Sequence, residues 1–347
     1  MKKLLFTLFL LLAAAPIYSP ARTFSPSLRP TNTTALDSPG QSSVKEAARD
    51  KEGQEDDVER IDTSLVTIPV SVFDRNGKFV PNLRREDFRV FEDGIEQQLA
   101  YFEPIEKPFT VLLMLDTSES TIFSLEDIQN AAIAFVNQLR PDDRVIVISF
   151  SNVLSIMNKP TSDRAILREA IRRTRTKGGT SLYPAVDYVI NRILKPLRGR
   201  KALILFTDGA DSGAPNSVIR NPRATFNSTL QDTEEADVLI YPVQYNTLNL
   251  MLQKYDKKFH AEINRQFRDA DAYLRELAKR SGGRLFKADA LRNVGEAFAQ
   301  IAEELRRQYS LGYYPKENAP KGARRQLRVR VNRTGLVVSA RTSYIRD

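Results

Sequence analysis

Cysteine is absent from the 347 residues and histidine occurs once. Without cysteine there is no disulfide, no thiolate zinc site, no thiol nucleophile and no thiol-linked lipid anchor. The single His260 excludes a histidine-rich metal centre. It lies in a charged stretch, KKFHAEINRQF, with no nucleophile elbow nearby, which argues against a Ser-His-Asp triad. Beyond residue 15 no apolar run is long enough to cross a bilayer. A one-sided charge is lacking too. The 52 basic and 43 acidic residues are intermixed, so the net +9 describes a solvated surface with a mild basic bias, not a nucleic-acid stripe.

What is present suits a globular chain of one large and one smaller domain, with 41% apolar and 9% aromatic residues. Residues 1–21 are predicted to be a signal peptide. Lys2 and Lys3 precede an apolar run, Leu4 to Ala15, and the small residues Ser19 and Ala21 allow cleavage after Ala21. An uncleaved anchor is the alternative. Residues 22–61 are first rich in Pro, Ser and Thr and then mostly charged. They cannot bury enough surface to offset ordering entropy, so a disordered linker is expected. The expected location is secreted, periplasmic or cell-envelope, and a large secreted domain without disulfides is a bacterial habit.

Residues 62–107 are read as an N-terminal β unit. SLVTIPVSVF is a β-branched run, and Arg75-Asn76-Gly77-Lys78 and Glu92-Asp93-Gly94 are turn signals. From 108 to 308 buried strands alternate with helices, which calls for an α/β fold: a doubly wound, mostly parallel sheet covered on both faces. Strands are expected at 110–116, 144–151, 201–207, 238–245 and 284–288. Pro242 argues against a central place for the fourth, unless its missing N–H faces away from a ladder. Residues 246–268 read as irregular, with a helix following in DAYLRELAKRSGG. Residues 309–347 return to β, with QLRVRV and LVVSARTSYI as a hairpin about Asn332–Gly335. The two β units each need cover for an apolar face and are expected to pack together as a small sandwich. Two separate appendages are the alternative.

The stretch VLLMLDTSES is the centre of the reading. Val111 to Leu115 form a strand buried on both faces, running into Asp116, Ser118 and Ser120. Alternate oxygen-bearing side chains in a loop can converge on a hard cation; equally, Asp116 or Ser118 can cap the next helix. In open α/β sheets ligands collect at the carboxyl ends of parallel strands. Asp208 ends another such strand, in FTDG. Thr180 lies in a Gly-Gly-Thr-Ser loop whose glycines let backbone approach closely. This loop is no phosphate loop, since it lacks G-K-[ST] and follows no strand. One crevice with two carboxylates and three hydroxyls is expected, and water completes six-fold coordination of Mg²⁺. Arg168, Arg172, Arg173, Arg175 and Lys177 read as a solvated helix face. Asp211, Asn216, Arg220 and Arg223 border the crevice in a long loop.

The order D-T-S-E-S, G-G-T, F-T-D-G resembles the von Willebrand factor type A domain with its metal-ion-dependent adhesion site (MIDAS). The flanks, PVSVFDRNGKFVPNLRREDFRVFEDG and AEELRRQYSLGYYP, resemble the von Willebrand factor A-related proteins first noted in acidobacteria. The resemblance implies that Asp116, Ser118, Ser120, Thr180 and Asp208 hold Mg²⁺, or Mn²⁺ or Ca²⁺. It also implies that the ion takes a Glu or Asp from a protein partner, in a binding or adhesion module without catalysis. Two other readings stay open: a scaffold whose metal only ties loops, and a Mg²⁺-dependent hydrolase with Asp116 as nucleophile. Position 118 is Ser where aspartyl-phosphate hydrolases place a second Asp.

Overall fold

The computed structural model describes residues 65–346, apart from 106, 122–124, 177, 214–218, 220, 289–293, 317–319 and 321. The signal peptide and the linker expected over 1–61 lie outside the described residues, as do Lys177, Asn216 and Arg220.

In chain order the strands and helices are β1 (Val66–Phe73), β2 (Phe88–Glu92), β3 (Ile95–Gln97), β4 (Leu99–Ile105), β5 (Phe109–Asp116), α1 (Leu125–Gln138), β6 (Arg144–Phe150) and β7 (Leu154–Ile156). Then come α2 (Arg164–Arg172), α3 (Leu182–Tyr188, continued by a wider π turn), β8 (Arg200–Thr207), α4 (Phe226–Glu235), β9 (Leu239–Tyr245), α5 (Leu248–Lys254) and α6 (His260–Ser281). The chain closes with β10 (Phe286–Ala288), α7 (Val294–Arg306), β11 (Gln308–Tyr313), β12 (Arg324–Val331), β13 (Val337–Ala340) and β14 (Ser343–Ile345).

The central sheet runs β10-β9-β8-β5-β6-β7, parallel except for the edge strand β7. Strand β5 is central, with both edges paired to β6 and β8, and helices cover both of its faces. Val111, Leu113 and Leu115 join one apolar cluster with α1, α2 and α7. Leu112 and Met114 join the other with α3, α4 and α6. This is why the strand reads as an unbroken apolar run.

Pro242 sits inside the sheet. Ile240, two residues earlier and so on the same strand edge, gives its N–H to Ser281 Oγ at 3.0 Å. The ladder with β10 begins only at Val243. The missing N–H of Pro242 therefore faces an edge where no neighbouring strand has yet started.

Two sheets, β13-β1-β11-β4 and β14-β12-β2-β3, face each other around Ile68, Val70, Phe88, Val90, Leu311, Tyr313 and Leu327. The amino- and carboxyl-terminal strands interleave: β11 lies between β1 and β4, and β12 pairs with β2. This is the small sandwich. The expected hairpin about Asn332–Gly335 is corrected: β12 and β13 belong to opposite sheets, and β12 pairs instead with β14. Leu327 and Val329 must face the core from one sheet while Val338 packs on it from the other, so the turn is a corner between layers.

Helix α6 also begins earlier than expected, at His260, so the stretch read as irregular is largely helical. Ile263, Phe267, Ala270, Leu274 and Leu277 recur at 4, 7, 11 and 14 residues and make one face.

Candidate metal centre

Asp116 is the last residue of β5, and Asp208 follows the last residue of the adjacent parallel strand β8. Neighbouring strands that end at one level bring the two carboxylates together, and both are buried. Asp116 takes the backbone N–H of Ser118 on one oxygen, at 2.9 Å, and the hydroxyl of Thr207 on the other, at 2.6 Å. Helix α1 starts only at Leu125, so Asp116 does not cap it. Ser118 Oγ lies 3.0 Å from Ser120 Oγ.

Three loops are laced to each other by main chain. Thr117 gives its N–H to Phe150 O, and Glu119 gives its N–H to Gly178 O at 2.9 Å. Gly178 has φ +50°, and a Cβ there would lie 2.9 Å from the Asn152 side chain, which explains a glycine at the approach. Thr180 exchanges bonds with Ser212: its N–H goes to Ser212 Oγ at 2.8 Å, and its carbonyl accepts the Ser212 N–H at 3.1 Å. Thr180 is buried and lines one pocket with Ser118, Ser120 and Asp208, while Asp116 lies beneath. The structure thus brings the five expected residues to one place.

Burial, reinforced by the Asp208 charge, pushes the Asp116 carboxyl up to about 7. Asp208 is raised as well, chiefly by burial, against hydrogen bonds that pull it down. Among the described residues no Lys or Arg pairs with either carboxylate. Nor do three or more Asp, Glu or His side chains gather as a metal-binding cluster among them. The donor set is all oxygen, from three hydroxyl and two carboxylate side chains.

Three further residues complete the surroundings. Thr207 and Thr247 each donate a hydroxyl to one carboxylate, Thr247 to Asp208 at 2.7 Å. Tyr245 stacks on Phe206 with ring centroids 4.7 Å apart, and its hydroxyl is buried. Both aspartates push its pKa up, after burial itself. Thr207 was visible in FTDG beside Asp208. Thr247 and Tyr245 carried no signal, because only the β8–β9 pairing sets their strand end beside the site. Of the other residues singled out, Arg168, Arg172, Arg173 and Arg175 are exposed on α2 or just beyond it. Asp211 accepts the N–H of Leu182 at 2.8 Å and so serves the start of α3.

Over residues 111–210, a span that holds all five residues, the chain matches the family model of the von Willebrand factor type A domain. Similar sequences include a Mycolicibacterium paratuberculosis protein described as a UPF0353 protein, 22% identical over 211 residues, covering 56% of this chain and 60% of that one. An uncharacterised Synechocystis protein is 30% identical over 113 residues, covering 31% of this chain and 27% of that one. The match thus spans 60% of the first relative's length and 27% of the second's. Among solved structures, a von Willebrand factor type A protein from Catenulispora acidiphila aligns over 82% of this chain and 75% of its own, at 12% identity and TM-score 0.44. Proximal thread matrix protein 1 of the mussel byssus, with zinc in its MIDAS motif, aligns over 61% and 49%, at 14% identity and TM-score 0.44.

Proposed function

We propose that Asp116, Ser118, Ser120, Thr180 and Asp208 hold a divalent cation, Mg²⁺ or else Mn²⁺ or Ca²⁺. The bound ion then accepts a Glu or Asp side chain of a protein partner. One observation carries this reading: two carboxylates are buried side by side, with no cationic side chain among the described residues to neutralise them, beneath a rim of hydroxyls that opens to a pocket. Two neighbouring buried anions are costly unless a positive charge joins them. Oxygen donors suit a hard cation. Hydroxyl ligands withdraw no positive charge from the ion, so it stays attractive to an anionic ligand from outside. The cation supplies electrostatic attraction and a fixed coordination position; the chain supplies the cradle. Thr207 and Thr247 orient the two carboxylates, as hydrogen-bond partners behind metal ligands do.

In this reading the protein is a binding or adhesion module of the cell envelope or exterior, in keeping with its amino-terminal sequence, and not a hydrolase. Titration calorimetry with Mg²⁺ and Mn²⁺ tests it. Wild-type chain should bind one ion, and Ser118→Ala and Asp208→Ala should each weaken binding at least tenfold. Ion binding that is equal in all three proteins would refute the reading.

A further inference from the structure

The pocket beside the two carboxylates has a volume of about 350 Å³ and two unlike walls. One wall is the oxygen-rich rim of Ser118, Ser120, Thr180 and Asp208. The other is apolar and belongs to α5, the turn after it and the first turns of α6: Met251, Tyr255, Phe259, Ile263 and Phe267. Tyr255 is 46% exposed and Phe259 48% exposed, and Leu250 beside them is 46% exposed. Large apolar side chains held in water next to a polar site mark an interaction surface.

The rim of this wall is mixed in charge, with Glu119 and Glu262 lining the pocket beside Lys254, and Lys258 paired with Asp256 at 3.8 Å. Lys254 Nζ lies 5.5 Å from the Tyr255 ring centroid and 3.8 Å from Glu119, and Lys258 Nζ lies 4.9 Å from the Phe259 ring centroid. The volume is at the small end of the range for ligand pockets, about 300–1,000 Å³. It admits a carboxylate side chain and one large neighbour, not the face of a folded domain.

Resting on the cation reading above, we propose that the partner offers an acidic segment. Its metal-seeking Asp or Glu is accompanied, within one or two residues, by a large apolar side chain, preferably aromatic. The cation takes the carboxylate, and the wall of Tyr255 and Phe259 takes the apolar group. The wall, rather than the cation, sets which acidic segment is chosen.

Random seven-residue peptides displayed on phage and panned on the full chain in Mg²⁺ test this. Enriched peptides should carry Asp or Glu with Phe, Tyr, Trp, Leu or Met within two positions. One enriched peptide is then synthesised with two variants, its acidic residue replaced by Gln or its apolar residue by Ser. The double variant Tyr255→Ser/Phe259→Ser should bind the parent peptide about tenfold more weakly, the scale of losing one buried aromatic contact. It should no longer distinguish the parent peptide from the Ser peptide. Both substituted side chains are half exposed, and Mg²⁺ titration of the same variant reports whether the cradle is intact.

Acidic peptides enriched with no apolar neighbour, and held equally by the double variant, overturn the inference and leave the cation reading standing. Peptides held equally in chelator, or by Ser118→Ala, overturn the cation reading itself. No enrichment at all overturns the inference. A Mg²⁺-dependent dimer that Tyr255→Ser dissociates would make a second copy the occupant, and a gain in peptide affinity on Asp56→Asn/Asp57→Asn would make it the chain's own acidic leader. Either overturns the assignment to a separate partner.

Discussion

Thr247 gives its hydroxyl to Asp208 and has little else to do there: it is buried, and it sits just before α5. A hydrogen bond behind a metal ligand fixes the ligand's rotamer, and its loss typically lowers affinity by roughly 10–100-fold. Thr247→Val, which keeps the shape, should therefore weaken Mg²⁺ binding in that range, and Thr247→Ser should restore most of it. Calorimetry of the three proteins checks both. Gly283 shows a different constraint. A Cβ there would lie 2.0 Å from the carbonyl oxygen of Ile240, and a Cβ on Gly282, at φ +81°, would lie 2.4–2.8 Å from the backbone of Arg341 and Ala340. Neither contact can yield by side-chain movement. Gly283→Ala should cost about 3 kcal/mol or more, at or above the usual range for overpacking, read as a lowered midpoint in urea.

At the scale of elements, α7 is held to the rest of the molecule by a buried pair. Glu304 is ion-paired with Arg284, whose guanidinium lies 4.8 Å from the Phe73 ring of the sandwich and 4.4 Å from that of Phe286. Burial raises the Glu304 carboxyl from 4.5 to about 7, against the pull of Arg284. A carboxyl raised on folding favours the folded state most below its unfolded pKa. That contribution is lost as pH rises through the folded value. Melting temperature should thus fall between pH 5 and pH 8, and Glu304→Gln should flatten the slope; scanning calorimetry across that range measures it. Arg200 plays a related part at the amino end of β8. It bonds the carbonyls of Lys107 at 2.6 Å and Leu305 at 3.1 Å, close to both points where the chain passes between sandwich and central sheet.

For the whole molecule, the cradle is assembled from loops after β5, after β8 and before α3, and no single segment contains it. An ion that binds only this assembled form stabilises it by mass action, by about 2.7 kcal/mol when its concentration is 100 times Kd. Adding chelator to the Mg²⁺-saturated protein should lower Tm by several degrees, roughly 2–4 °C per kcal/mol for a domain of 150–250 residues. The Ser118→Ala chain should show at most about half that shift. The scaffold alternative expects general unfolding on chelation, so retention of far-UV dichroism at 25 °C separates the two.

How much of this was written in the sequence follows from distance along the chain. Val111 to Leu115 read as a doubly buried strand because a short unbroken apolar run suits the middle of a parallel sheet. The alternation of strands and helices behind it fixed the central α/β architecture. Asp116, Ser118, Ser120, Thr180 and Asp208 were legible as types at the ends of elements. The start of α6 was obscured because charged residues crowd the stretch around Ile263 and Phe267, and its periodicity emerges only over three turns. Pairing across sheets was beyond reach: nothing local says that β12 leaves β13 for β2 and β14, because both turn about the same Asn-Arg-Thr-Gly. Thr247, Tyr245 and the apolar wall of Tyr255 and Phe259 reach the cradle only because β9 lies beside β8 and α5 and α6 fold back over the strand ends. The sequence by itself determined which oxygen-bearing residues end the strands; the tertiary structure alone decided what stands opposite them, since burial and neighbourhood belong to the packed chain and not to its order.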